Sequence, residues 1–269
     1  MRLGFVGAGR VGAGLSLALS RCGYTLVGVA SRKRGDAQQV VDASGLVFLT
    51  VPDDAIEETA RGLRWRPDVS VVHCSGAAEL SVLAPAAEAG AAVGGFHPLQ
   101  MFADPEVAAR GLAGCAIAVE AEEPLAGTLR GMVEALGARL LRVPPGARAA
   151  YHAGAHYAAA FVAALLAEGV EIWRRIGIPP DDALAALLPL LRGSTDAIAH
   201  SGIARAMAGS VARGDIDTVK RHVAALGRLD PRLRELYCTL ALRTVPLALA
   251  AGGLSPARAD ELHAVLTRS

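Results

Sequence analysis

Up to about Pro145 the chain alternates short, continuous apolar runs with stretches whose apolar positions recur at helical spacing. The runs are Arg2–Val6, Tyr24–Ala30, Leu46–Val51, Val69–Cys74, Ala91–Phe96, Cys115–Val119 and Arg139–Val143. Pro52 stops the third and Ser75-Gly76 the fourth. Apolar strands bounded by Gly, Pro or Asp, with helices between them, predict a mostly parallel sheet covered on both faces. From Ala147 onward Ala-, Leu- and Arg-rich segments predict helices only. Their breaks are expected near Gly177-Ile178-Pro179-Pro180, Gly193, Gly202, Gly214, Gly227 and Gly252-Gly253. Pro144-Pro145-Gly146 reads as a hinge. The expected class is therefore α/β, residues 1–145 carrying the sheet and residues 146–269 an all-helical domain, with a ligand cleft between them at the carboxyl ends of the strands.

The first strand runs straight into Gly7-Ala8-Gly9-Arg10-Val11-Gly12 and a helical stretch. Between strand and helix this spacing has a mechanism. Gly7 makes the tight turn, Gly9 lets the backbone approach a pyrophosphate, and Gly12 packs the helix on the sheet. The helix N-terminus, with Arg10 and Val11, faces the anion. The expectation is a Rossmann dinucleotide-binding domain. At the end of the second strand, where NAD-binding domains usually place an acid for the ribose 2′-hydroxyl, stand Ser31, Arg32, Lys33 and Arg34. Three cations and a hydroxyl suit a 2′-phosphate, and a hydrogen bond to a charged group contributes roughly 1.5–3 kcal/mol. NADP(H) is expected over NAD(H), against the plainer reading of a solvated basic loop.

Composition narrows the class without changing it. The 269 residues are 52% hydrophobic and 20% charged, with a formal net charge of +1. These values fit a globular chain and give no general attraction to nucleic acid or anionic lipid. Cys22, Cys74, Cys115 and Cys238 show no metal or redox spacing and read as reduced, mostly buried thiols. The opening strand leaves no room for a secretory leader, and the longest uncharged apolar stretches, Tyr157–Ala167 and Val245–Leu254, fall short of the ~20 residues of a membrane span. The expectation is a soluble, cytoplasmic protein.

Several polar residues fall where strands end. Val51-Pro52-Asp53 would pass over the cofactor's adenosine side, or Asp53 would cap the next helix. Ser75 would bind a substrate oxygen near the nicotinamide, or cap. His73, on a buried strand, reads as a satisfied core histidine. His97, fixed by Pro98, suits a general acid whose ordinary pKa near 6.5 lies close to working pH, or a structural turn. His152 and His156, four apart, share one helix face. They would orient or protonate substrate, or simply pack; no carboxylate or HExxH pattern supports a metal. Among the polar islands of the helical half, Arg192 with nearby Thr195, or Arg213, would hold a substrate carboxylate.

Taken together, GAGRVG, SRKR, FLTVPDDAI, VVHCSGA, GFHPLQMFAD, YHAGAHYAAAF, LLRGSTDAIA and AGSVARGD resemble the bacterial Rossmann-like proteins that carry domain of unknown function 2520. The resemblance runs from Gly4 to Val223. That family belongs to a wider group joining a Rossmann domain to a helical dimerisation domain, including 6-phosphogluconate dehydrogenases, pyrroline-5-carboxylate reductases and ketopantoate reductases. The resemblance implies NADPH-linked reduction and a homodimer through the helical half. The lysine and asparagine of β-hydroxyacid dehydrogenases are replaced by His152 and His156, so the lysine's role does not transfer. Ala160 and Ser210 stand where the family often has Asn and Pro. Prephenate dehydrogenases offer a closer analogy for Ser75 and His97-Pro98. The expected function is an NADPH-dependent reductase of a small keto acid, ketopantoate first. His97 would donate the proton and Ser75 place the oxygen, with His152, His156 and Gln100 lining the site. The alternatives are an imine reductase of the pyrroline-5-carboxylate type and a non-catalytic NADPH-binding sensor dimer.

Overall fold

A computed structural model describes residues 1–33 and 35–267, and the chain divides into two compact units, Met1–Ala158 and Ala159–Ser269. The first unit follows the predicted alternation. Its order is β1 (Arg2–Val6), α1 (Arg10–Arg21), β2 (Thr25–Ala30), α2 (Ala37–Ala43), β3 (Leu46–Leu49), α3 (Ile56–Arg61) and β4 (Ser70–His73). There follow α4 (Ala84–Glu88), β5 (Ala92–Pro98), α5 (Pro105–Gly111), β6 (Ala116–Ala121), α6 (Leu125–Ala135), β7 (Arg139–Arg142) and α7 (Arg148–Ala158). The strands form a seven-stranded sheet in the order β2-β1-β3-β4-β5-β6-β7. Neighbours from β2 to β5 are parallel, β6 is antiparallel to β5, and β7 is parallel to β6. The chain leaves β1 to one side for β2 and returns to the other for β3, which makes the β1/β3 junction the topological switch point.

Side-chain alternation along the strands gives the sheet two apolar faces, as burial on both sides requires. Phe5, Phe48 and Phe96 project to one face and pack with Leu15, Leu19 and Met132. Phe5 and Phe48 stack at 4.8 Å, and Phe96 meets Phe48 edge-on at 5.6 Å. Val47, Leu49 and Val71 project to the other face, against Ile56, Leu83 and Trp65.

Strands give way to helices near residue 145, as the composition shift indicates, but the compact units divide later, after Ala158, so α7 belongs with the sheet. The second unit is helical: α8 (Ala160–Arg175), α9 (Pro180–Ser201), α10 (Ile216–Leu229), α11 (Pro231–Ala250) and α12 (Pro256–Thr267). Its core joins α10, α11 and α12 through Val219, Ala241, Val245 and Leu262. Two expected breaks are absent. α9 runs through Gly193 and α10 through Gly227, because one glycine costs a helix only ~1 kcal/mol and the helix-forming residues on either side outweigh it. Gly202, with φ 79°, does end α9. No residue of α8 is buried, while Phe161, Leu165, Leu184 and Leu190 on α8 and α9 remain exposed. An apolar groove of about 290 Å³ runs between these two helices.

By length and composition alone the run Arg148–Arg175 would cross a membrane, with mean hydropathy 1.4. This differs from the expectation that every apolar stretch is too short. The run is nevertheless interrupted at Ala159 (φ −126°, ψ −91°), and one such run is weak evidence of a span.

The aromatic face identifies where stability resides. Phe48→Ala should lower unfolding free energy by about 3–5 kcal/mol in denaturant titrations. Leu141→Ala on the exposed β7 should stay within about 0.5 kcal/mol. Equal losses at the two positions would contradict this assignment of the core.

Candidate functional site

The glycine turn occupies the switch point. Gly7 takes φ 119° and donates its N–H to the Ala30 carbonyl at 2.8 Å. Its own carbonyl accepts from Thr50 Oγ1 at 2.7 Å, tying the turn to the end of β3. A Cβ on Gly12 would overlap the Gly7 carbonyl, so this glycine lets α1 close onto the turn. A Cβ on Gly9 would meet only the Thr50 carbonyl, at 4.0 Å, which leaves its outer side open to a ligand. Over the turn lies a cavity of about 550 Å³, lined by Gly7, Gly9, Ser31, Arg32, Lys33 and Pro52 among others, with Val51 also on its wall. Arg10 is exposed at the first turn of α1, with Val11 half-buried behind it. Arg34 lies outside the described residues.

A second polar cluster forms where β4, β5 and α7 meet. Its anchor is Arg148, whose guanidinium is entirely buried. Nε donates to Glu120 Oε2 at 2.6 Å and Nη1 to the Ser75 carbonyl at 3.1 Å. Glu79 receives the backbone N–H of Arg148 at 3.1 Å and of Gly146 at 3.2 Å, capping the start of α7 from a distant loop. A Cβ on Gly95 would overlap the Arg148 guanidinium, so β5 needs a glycine there. One turn along α7, the Tyr151 hydroxyl lies 2.9 Å from His97 Nδ1. His152 meets His97 edge-on at 5.8 Å and His156 at 4.7 Å. Gly76 makes room for both rings: a Cβ there would stand 2.9 Å from His97 Nε2 and 2.5 Å from His152 Cδ2.

The residues expected at strand ends thus come together, with altered roles. Ser75 has little hydrogen-bonding capacity left for a substrate. Its hydroxyl donates to Asp53 Oδ2 at 2.6 Å and accepts from the amides of Ala77 and Ala78 at 3.2 and 3.0 Å. Asp53 spends that oxygen on Ser75 and makes no helix-cap bond. Gln100 turns back on its own loop, its Oε1 accepting from the Met101 amide at 3.0 Å while its Nε2 lies where a Gly111 Cβ would be. Two histidine expectations are corrected. His73 is buried in the core but neither ring nitrogen has a partner among the described residues. Burial, with Arg148 and His97 nearby, holds its pKa down to about 3. His97 does not sit near 6.5: burial, then the adjoining His152 and Arg148, bring it down to about 4. Its imidazole is therefore neutral at pH 7.

His156 Nδ1 donates to the His152 carbonyl at 2.9 Å. No group of three potential metal ligands forms among the described residues. Arg192, Thr195 and Arg213 all belong to the second unit and are exposed; Thr195 Oγ1 donates to the Arg192 carbonyl at 2.7 Å. Sequence reasoning missed Arg148, Glu120, Glu79 and Tyr151. One signal was available: Glu120 is the only charge in the otherwise apolar β6 segment, AIAVEA.

Residues 1–98 match the family model of a Rossmann-like domain, and residues 115–244 that of domain of unknown function 2520. Among solved structures, protein TM1727 of Thermotoga maritima is similar at 22% identity and TM-score 0.75, covering 92% of this chain and 98% of that one. A 1-pyrroline-5-carboxylate reductase of Streptococcus pyogenes has 14% identity and TM-score 0.62, covering 98% of each chain. A reductive aminase of Aspergillus terreus, solved with NADPH and ethyl-5-oxohexanoate, has 15% identity and TM-score 0.65, covering 97% of each. These likenesses establish the fold. No curated protein matches the chain.

His73 carries a pH signature. Its folded pKa lies below the unfolded value, so the unfolded chain takes up the proton first as pH falls. Stability is therefore complete above about 6.5 and is lost progressively towards 3. At pH 5 the loss from this group is about 2 kcal/mol. Relative to wild type, His73→Leu should gain about that much more stability at pH 5 than at pH 7 in denaturant melts. An equal difference at both pH values would show that His73 is not held neutral.

Proposed function

For a chain that joins a Rossmann-like domain to domain of unknown function 2520, we propose an NADPH-dependent reductase of a small keto acid, with ketopantoate the leading substrate. The observation that carries this reading is the open glycine turn at the switch point. It faces a cavity walled by Ser31, Arg32 and Lys33, with no carboxylate at the end of β2. Gly7, Gly9 and the α1 N-terminus suit the pyrophosphate, Val51 and Pro52 the adenosine side, and Ser31, Arg32 and Lys33 the 2′-phosphate. Bound there, NADPH would supply the hydride.

The β4/β5/α7 cluster is the proposed catalytic site. His97, neutral at pH 7, offers a hydrogen-bond donor to the substrate oxygen and polarises the carbonyl rather than acting as an imidazolium acid. His152, whose ring nitrogens have no hydrogen-bond partner among the described residues, supplies the proton. Ser75 and Asp53 shape the loop beside them, and His156 braces His152. In this reading residues 1–145 hold the dinucleotide and residues 146–269 contribute substrate contacts and the dimer. Arg192 or Arg213, with Thr195, would meet the carboxylate, while Gln100 keeps its loop in place. The unburied apolar side of α8 and α9 suits a homodimer of a soluble, cytoplasmic protein. An imine substrate is the second reading, favoured by the names of the Streptococcus and Aspergillus proteins that share the fold.

Titrating the protein with NADPH and NADH, followed by nucleotide fluorescence, tests the cofactor. Arg32→Ala should weaken NADPH binding about tenfold or more and leave NADH unchanged. A protein that binds neither nucleotide at physiological concentration would end the reductase reading. His97→Gln separates the substrates: kcat should fall by about 10²–10³ with a keto acid and far less with a cyclic imine, which enters already protonated.

A further inference from the structure

We infer that Tyr151 is a positioning residue, donating its hydroxyl hydrogen to His97 Nδ1 and so fixing the tautomer that presents Nε2–H to the substrate oxygen. The inference rests on the reductase reading for its purpose, and on geometry for its content. The two groups stand 2.9 Å apart, with their rings edge-on at 5.6 Å and 88°. Either could be the donor in principle, and two observations decide between them.

The first concerns the phenol. Burial raises the Tyr151 pKa, so the hydroxyl keeps its hydrogen, and His97 is its one hydrogen-bond partner among the described residues. If it accepted from Nδ1–H, its own hydrogen would be left unpaired in a half-buried position. Donation to Nδ1 satisfies both groups at once. The second concerns the far side of the ring. Nε2 points towards Gly76, has no partner among the described residues, and is not sealed from solvent as the nitrogens of His73 are. With hydrogen on Nδ1, Nε2 would turn a lone pair towards an oxygen that gains negative charge as hydride arrives. With hydrogen on Nε2 it supplies the donor that the oxygen needs. Which nitrogen of a neutral imidazole carries hydrogen is set by the bond that the other one makes.

Tyr151 can hold this position because α7 is tethered at its first turn. Arg148, one turn earlier, is pinned by Glu120 and the Ser75 carbonyl, and its amide is capped by Glu79. The phenol thus approaches His97 from a helix anchored at its first turn, and a positioning residue depends on such supporting contacts.

The test reads the tautomer directly. In 15N-labelled protein at pH 7, two-bond 1H–15N correlations distinguish protonated from bare ring nitrogens, and the spectrum of His97→Gln assigns the His97 signals. The expected pattern is a protonated Nε2 and a bare Nδ1 in the wild type, giving way to a mixture in Tyr151→Phe. The same variant should lose about tenfold in kcat with unchanged NADPH affinity. A wild-type His97 protonated on Nδ1, or a Tyr151→Phe spectrum identical to wild type, would overturn the inference. The wild-type spectrum decides the first point even if the variant folds poorly. No substrate is needed to read the tautomer, so a protein with the expected spectrum and no turnover on keto acids or imines would count against the reductase reading alone.

Discussion

The candidate site depends on one buried ion pair. A fully buried guanidinium is tolerable only when its charge is met, and removing one partner of such a pair typically costs about 3–5 kcal/mol. Arg148 meets this term through Glu120 on β6, spends Nη1 on the Ser75 carbonyl after β4 and fills the space left by Gly95 on β5, while its Nη2 has no partner among the described residues. Three strands and α7 are thereby fixed in one register. Because Arg148 is also a nearby positive charge, it helps keep His73 and His97 unprotonated. Burial does most to set the charge state of the site, and the residue that holds the scaffold adds to it.

The fold was legible because its signals are local. Continuous apolar runs fix the strands, and Gly7, Gly9 and Gly12 between a strand and a helix can do little else than make a turn at a switch point. Ser31, Arg32 and Lys33 could be placed beside it by distance along the chain alone. What was not legible came from pairings across 28 to 73 residues, such as Arg148 with Glu120 and with the Ser75 carbonyl. No spacing rule announces these. The same limit explains Ser75, which reads as a free hydroxyl at a strand end until Asp53, 22 residues earlier, is seen to take its hydrogen. It explains the histidines too, since ordinary pKa values apply only until burial is known. Gly193 and Gly227 mislead in the opposite direction, because the penalty of one glycine yields to the helix-forming residues on either side.

The two polar regions of the first unit differ in a way that suits their proposed tasks. The glycine turn is lined by backbone and exposed cations, which suits a large anionic ligand that enters and leaves. The β4/β5/α7 cluster is half-buried, and burial, with the adjoining His152 and Arg148, keeps its His97 imidazole neutral. A site that only sensed nucleotide would need the first and not the second. The presence of both favours chemistry over sensing.

Isotope transfer tests that claim most directly. The protein would be incubated with NADPH carrying deuterium in the transferable C4 position and with a panel of 2-keto acids and cyclic imines, and the products examined by mass spectrometry and NMR. The account predicts one deuterium at the former carbonyl or imine carbon of at least one product, formed at the rate at which NADPH is consumed. Tight NADPH binding with the deuterium retained on the nucleotide across the whole panel would contradict it, and would identify the protein as a nucleotide-binding module without hydride chemistry.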